Sequence, residues 1–176
     1  MQERTGVATF LGKPLTLLGP ELKVGDKAPN FVLNKDLETE VTLTDYEGKV
    51  KLISVVPSLD TSVCDAQTRR FNQEAASLGQ DVVVLCVSVD LPFAQARWCG
   101  AAGIDRVITL SDYKTKSFGL EYGVLIKEFQ LDMRSIFVLD KTNTITYLEY
   151  VREMSEQPDY DKALAAVKAA LKNKLL

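Results

Sequence analysis

The sequence predicts an α/β fold in which helices flank a mixed central β-sheet. Two β-branched, apolar runs, Lys51–Val56 and Val82–Val89, have the character of buried strands, and the second opens with six apolar residues in a row. Residues at helical spacing follow each run, so the middle of the chain reads strand–helix–strand–helix–strand. A pair of strands and a final helix come after, which completes the mixed sheet.

From the N-terminus, Val7–Leu11 and Leu15–Leu18 flank Gly12-Lys13-Pro14 and read as a β-hairpin, closed by Gly19-Pro20. Lys27-Ala28-Pro29-Asn30 leads into a short strand at Phe31–Leu33, and Val41–Leu43 is another. Glu47-Gly48-Lys49 turns the chain into the strand that ends at Pro57. Phe71, Ala75 and Leu78 share one face of a helix expected to run to Leu78 and stop at Gly79. Leu91-Pro92 opens a second helix, since proline is tolerated in a first turn, and Gly103 is its expected stop. Arg106–Leu110 is a third core strand, and Thr115–Tyr122 is a short helix ahead of Gly123. Ser135–Asp140 and Thr144–Glu149 pair across Lys141-Thr142-Asn143. Tyr160, Leu164, Val167 and Leu171 share a face of the last helix, with Asp159 placed to cap it. No repeat or linker divides the chain, so one domain is expected over residues 1–176, with residues 1–19 as an N-terminal hairpin extension.

A chain of 176 residues can bury a core without disulfide staples, and 46% apolar with 26% charged residues fits a soluble globular protein. The net charge of −3 argues against a broad basic surface, so no nucleic-acid partner is expected. No apolar run approaches the ~18 residues of a membrane span. The first residues lack the apolar core of a secretory signal, so a cytoplasmic location is expected. Three cysteines leave at least one unpaired. The chain has no histidine, which excludes Cys–His and Ser–His–Asp nucleophiles and removes most zinc and haem sites.

The stretch Pro57-Ser58-Leu59-Asp60-Thr61-Ser62-Val63-Cys64 joins a strand to a helix, so Cys64 falls in or just before the helix's first turn. Unpaired N–H groups and the positive end of the helix dipole favour an anion there, and the thiolate is the reactive form of cysteine. With no imidazole in the chain, a reactive Cys64 has to draw on the helix terminus and on Arg or Lys. Each residue also has an ordinary explanation. Proline often ends a strand, Thr61 suits a helix cap, and free cysteine is commonly a small buried hydrophobe. Composition and spacing leave both readings of Cys64 open. Cys86, inside the apolar strand run, is expected to be an inert core residue, and Phe93 and Trp98 are expected in the core or at an interface.

The same eight residues resemble the Pro-x-x-x-Thr-x-x-Cys active-site motif of peroxiredoxins, most closely that of the thiol peroxidase subfamily. The resemblance continues through Ser88–Gly100 around Cys99, Arg134–Asp140, Gln157-Pro158-Asp159-Tyr160 and the N-terminal hairpin, and so covers nearly the whole chain. It implies a thioredoxin-like fold and reduction of hydroperoxides with no metal, flavin or other cofactor. By that resemblance Cys64 is the peroxidatic cysteine, attacking the O–O bond to leave a sulfenic acid. Thr61 binds the peroxide oxygens, Pro57 shields the sulfenate, and Arg134 stabilises the thiolate and the developing charge. Cys99 is the implied resolving cysteine, closing a disulfide within one chain, with thioredoxin as the reductant and a homodimer as the assembly. Both cysteines fall on helices and a disulfide needs Cα atoms within ~7 Å; where the helices hold them apart, bond formation requires the first turn of the Cys64 helix and part of the Cys99 helix to unwind.

Two other readings share this chemistry. A general thiol–disulfide oxidoreductase is weakened by the absence of a Cys-x-x-Cys pair. A peroxide sensor or redox relay, which passes its disulfide to a partner protein, uses the same sulfur steps as a scavenger.

Overall fold

The computed structural model describes residues 1–173 of the chain. Strand β1 (Glu3–Phe10) and β2 (Lys13–Leu18) form the N-terminal hairpin. The turn is tighter than the sequence suggests. Leu11 and Gly12 alone connect the strands, with φ of 49° and 79°, and Pro14 lies opposite Thr9 inside the ladder. Two consecutive positive φ values mark a type I′ turn, whose twist matches that of the strands it joins.

Next come β3 (Val32–Asn34), β4 (Glu40–Thr42), β5 (Val50–Val55), helix α1 (Ser62–Ala75), β6 (Val82–Ser88), α2 (Pro92–Ala102) and β7 (Ile108–Ser111). The short helix α3 (Ser117–Glu121), β8 (Leu125–Ile126), the hairpin β9 (Ser135–Leu139) and β10 (Ile145–Tyr150), and α4 (Tyr160–Lys172) complete the chain. Seven strands form the main sheet in the order β10-β9-β5-β6-β7-β3-β4. The β5–β6 and β6–β7 pairs are parallel, and the others antiparallel. The sheet is therefore mixed, as expected. Among the described residues, no helix is long and apolar enough to cross a membrane.

Strand alternation divides the core in two. Ile53, Val55, Leu85, Val87, Phe137 and Leu139 face a cluster with Phe118, Tyr122 and the hairpin residues Ala8, Leu15 and Leu17. Leu52, Val84, Cys86, Ile136 and Val138 face the opposite cluster with Phe71 of α1 and Leu164 and Val167 of α4. This is the period-two geometry of a sheet covered on both sides.

Several boundaries depart from expectation for local reasons. Helix α1 ends at Ala75 instead of Leu78, because Ser77 and Leu78 donate to the carbonyls three residues back, tightening the chain into turns before Gly79. Helix α2 ends as expected, with Gly103 in the left-handed region (φ 69°) and Ile104 N–H bonded to Cys99 O at 3.0 Å. Leu43 leaves its expected strand and starts a 3₁₀ turn. Strand β8 has no counterpart in the sequence reading; it pairs with β2 and makes the hairpin part of a three-stranded sheet. That junction needs Gly123, where a Cβ would stand 1.8 Å from Pro20 O. The Arg4 guanidinium staples the same crossing by donating to Gly19 O, Pro20 O and Gly123 O.

One polar pair lies inside the fold beside α3. Asp112 accepts from the N–H groups of Phe118 (3.1 Å) and Gly119 (2.9 Å). Asp132 is fully buried next to it, and neither of its oxygens accepts a hydrogen bond. Burial, followed by the charge of Asp112, pushes the Asp132 carboxyl well above the usual carboxylate range.

Candidate active site

The site forms where β5 and β6 end. Two parallel strands that each run into a helix leave a crevice at their carboxyl ends, and Cys64 sits there in the first turn of α1. Strand β9 is antiparallel to β5, with Val55 opposite Ser135, so the residue preceding β9 arrives at the same end of the sheet. That residue is Arg134.

The loop between β5 and α1 is held by Asp90, at the end of the neighbouring strand. Its carboxylate accepts from Ser58 Oγ (2.7 Å), Leu59 N–H (2.8 Å) and Ser88 Oγ (2.7 Å). Buried Pro57 directs the chain into this loop and lines a pocket at the site. Thr61 is the N-cap of α1. Its hydroxyl accepts from Cys64 N–H at 3.4 Å and donates to Ser58 O at 3.2 Å. In this conformation Thr61 thus serves the backbone and does not donate to the Cys64 sulfur, so the cap reading describes the resting state.

Cys64 is fully buried. Arg134 Nη2 donates to its Sγ at 3.3 Å. The guanidinium is held on its other edges: Nε and Nη2 donate to Met154 O at 3.0 and 2.8 Å, and Nη1 to Gln67 Oε1 at 2.9 Å. Gln67 Nε2 in turn donates to Ser54 Oγ on β5 at 2.7 Å. Arg134 is only 1% exposed, and among the described residues no carboxylate forms an ion pair with it. A buried cation is costly unless an anion or several acceptors face it. Two carbonyl contacts and an amide oxygen supply part of that compensation, and the sulfur lies where the missing negative charge would stand.

Phe10, Pro57, Thr61, Val63, Arg134, Met154 and Ser155 line a cavity of about 260 Å³, and the lining is overwhelmingly apolar. Phe10 comes from the N-terminal hairpin, which also braces the loop that carries Met154. Thr9 N–H donates to Arg152 O at 2.7 Å, and Met154 N–H donates to Thr9 O at 2.9 Å. Glu153 adds a side-chain tie, accepting from Thr9 Oγ1, Gly12 N–H and Ser155; these bonds hold its carboxyl down to about 2.

The structure therefore brings Pro57, Thr61, Cys64 and Arg134 together, and leaves Cys99 apart. Cys99 lies on α2, half-buried, with its thiol 3.8 Å from Thr109 Oγ1 of β7, and burial pushes its ionisation up. All three cysteines are free thiols. Cys86 is fully buried in β6, as its apolar run predicts; burial pushes its thiol up to about 12, and Thr68 Oγ1 lies 3.7 Å from its sulfur. Gln67, Asp90 and the Met154 carbonyl are site components absent from the sequence reading. Only Gln67 carried a signal, one helical turn after Cys64 on the same face.

Comparison with known proteins accords with this arrangement. The Redoxin family profile matches residues 23–164. The chain is 61% identical to a thiol peroxidase of Halalkalibacterium halodurans over 164 residues, covering 93% of this chain and 98% of that one. It is 59% identical to a thiol peroxidase of Bacillus subtilis over 165 residues, covering 93% and 98%. Among solved structures, a peroxiredoxin-like protein from Aquifex aeolicus superposes with a TM-score of 0.86 at 39% identity, covering 97% of this chain and 99% of that one. A thiol peroxidase from Chromobacterium violaceum shares the fold with a TM-score of 0.82 at 22% identity, covering 94% and 97%. With a thioredoxin-like fold, a buried cysteine at a helix start and relatives of this identity along nearly its full length, the chain belongs to the Redoxin family as a peroxiredoxin of the thiol peroxidase type, an enzyme that reduces peroxides.

Proposed function

We propose that Cys64 is the peroxidatic cysteine and that Arg134 is the cation that makes it so. The observation that carries this reading is the buried guanidinium, without a carboxylate partner among the described residues, directed at the Cys64 sulfur from 3.3 Å. The thiolate sulfur attacks one peroxide oxygen; the S–O bond forms as the O–O bond breaks. The second oxygen leaves with the bonding electron pair, takes up a proton and departs as water or an alcohol. Cys64 is oxidised to the sulfenic acid and the peroxide is reduced. Arg134 faces the negative charge at both ends of this displacement. Thr61, freed from Ser58 O, orients the peroxide oxygens, and Pro57 keeps water and excess peroxide from the sulfenate. The apolar cavity beside them supports organic hydroperoxides as well as hydrogen peroxide, since an alkyl group fits where Phe10, Val63 and Met154 meet.

Cys99 then acts as the resolving cysteine. Its thiolate attacks the sulfenic sulfur, the S–S bond forms as the S–O bond breaks, and the departing hydroxide takes up the proton that the Cys99 thiol gave up and leaves as water. Because Cys99 rests against Thr109 on a separate helix, the first turns of α1 must open for the sulfurs to meet. A thioredoxin-type dithiol reduces the disulfide and closes the cycle. Exposed Leu91 and Phe93, at the start of α2, support a homodimer.

Turnover of cumene hydroperoxide coupled to thioredoxin, its reductase and NADPH tests the whole cycle. Cys64→Ser abolishes oxidation, whereas Cys99→Ser allows one oxidation and then stops. Oxidation of Cys64 no faster than that of free cysteine would overturn the peroxidase role of this residue. Rapid oxidation with no turnover would replace the scavenging cycle by a relay. A disulfide from Cys64 to Cys86 in the oxidised protein would displace Cys99.

A further inference from the structure

The two helices that carry Cys64 and Cys99 are tied to each other by the residues adjoining those cysteines. Asp65 follows Cys64, and Trp98 precedes Cys99. Trp98 Nε1 donates to Asp65 Oδ1 at 3.0 Å. Arg69, one turn further along α1, donates from Nε to Asp65 Oδ2 at 2.9 Å, lies over the Trp98 ring at 5.7 Å from its centroid, and reaches Ala102 O of α2 at 3.2 Å. Every bond crosses or braces the contact between α1 and α2.

We propose that Asp65, Trp98 and Arg69 form a latch that governs how long the Cys64 sulfenate waits before Cys99 reaches it. The inference rests on the Cys64–Cys99 disulfide proposed above. The chain on either side of the latch is fixed: Asp90 holds Leu59 N–H, and Phe71 is 1% exposed in the core. Unwinding is thereby confined to the turns between them, where Asp65 and Arg69 stand. Closed, the latch keeps Cys64 under its cap and beside Arg134, the geometry that reacts with peroxide. Open, it frees the segment that has to move. The Arg69 and Asp65 side chains are 46% and 32% exposed, so water replaces their contacts at modest cost and the latch can release within a turnover.

The consequence is a partition. The waiting sulfenic acid either meets the Cys99 thiolate and loses water to form the disulfide, or meets a second peroxide. In that second event sulfur gains an oxygen to become sulfinic acid and the peroxide leaves as water or alcohol. A tighter latch favours the second outcome. Asp65, Trp98 and Arg69 are positioning residues in this scheme; none touches the reacting atoms.

Trp98 is the only tryptophan in the chain, so its fluorescence reports on the latch directly. In stopped flow the wild-type signal should change at the rate of disulfide formation, independent of peroxide concentration, and that change should be absent in Cys99→Ser. Trp98→Phe keeps the ring and removes the donor. Rapid quenching and mass spectrometry should show its resolution step accelerated about tenfold and the peroxide concentration for half over-oxidation raised to match, with the first oxidation unchanged. Asp65→Ala should also accelerate resolution, and Asp65→Ala with Trp98→Phe should be no faster than Asp65→Ala alone, since both remove the same bond. Resolution at the parent rate in both single variants, or accelerations that multiply, would overturn the latch. Absence of a Cys64–Cys99 disulfide in peptide maps of the wild type would instead overturn the resolving role of Cys99, so the two failures are distinguishable.

Discussion

Arg134→Met keeps a long, unbranched side chain in a buried slot while removing the charge and every donor. In the resting fold Met154 O loses its contacts at 3.0 and 2.8 Å and Gln67 Oε1 its contact at 2.9 Å. An abandoned buried acceptor costs about 1–3 kcal/mol. Two such groups therefore cost about 2–6 kcal/mol, offset in part because a buried cation no longer has to be desolvated. In the reaction, a unit charge 3.3 Å from the sulfur attracts a full anion by about 5 kcal/mol at an effective dielectric of about 20. Charge migrates from sulfur to the leaving oxygen during the displacement, so only part of that attraction distinguishes the transition state. Removing one preorganised donor costs about 3–4 kcal/mol, which sets the expected loss at about 100- to 1000-fold in the rate of Cys64 oxidation. Stopped-flow oxidation by excess cumene hydroperoxide in a Cys99→Ser background isolates this step, and circular dichroism checks the fold. A folded Arg134→Met protein that reacts within about fivefold of its parent would refute the electrostatic argument, because no preorganised donor would then have been lost.

Two further outcomes follow from other parts of the molecule. Phe10→Ala, which opens one wall of the apolar cavity, should lower kcat/KM for cumene hydroperoxide by about 5- to 20-fold and leave hydrogen peroxide nearly unaffected, the loss expected from a few buried methylenes; equal losses for both would remove the cavity from substrate selection. Asp132 has its ionisation raised in the fold, so the folded state holds a proton that the unfolded chain gives up near pH 4. Its contribution to stability is therefore complete below about pH 4 and is lost as the pH rises toward the folded value. Asp132→Asn should melt higher than the parent at pH 8, with the difference vanishing in acid; a pH-independent difference in Tm would contradict this.

The legible parts of the chain are those that depend on neighbours close in sequence. Strand β5, the cap at Thr61 and the helix behind Cys64 follow from β-branched residues, a hydroxyl three positions before the cysteine, and apolar spacing. The illegible parts depend on partners far away. Nothing near Met154 marks its carbonyl as the seat of a guanidinium, because any residue supplies a carbonyl. Asp90 looks like one more acidic residue until the parallel pairing of β5 with β6 brings it under the loop at Ser58. Strand β8 is two residues long and joins a sheet because β2, distant in sequence, offers an edge. The hairpin turn was displaced by Pro14, which reads as a turn residue but occupies a ladder position where the fold uses Leu11 and Gly12 instead.

The guanidinium that faces Cys64 lies 70 residues further along the chain. At a synthesis rate of about 5–20 residues per second, the ribosome makes the thiol about 4–14 s before it makes the cation. The brace on that cation, the Met154 carbonyl, is made later still. A nascent chain therefore carries an ordinary cysteine among ordinary cysteines, and the thiol has no matched cation until β9 has docked against β5. With Arg134 as the activating cation proposed above, a half-made chain carries no primed sulfur, and a molecule that unfolds gives up its reactivity together with its shape.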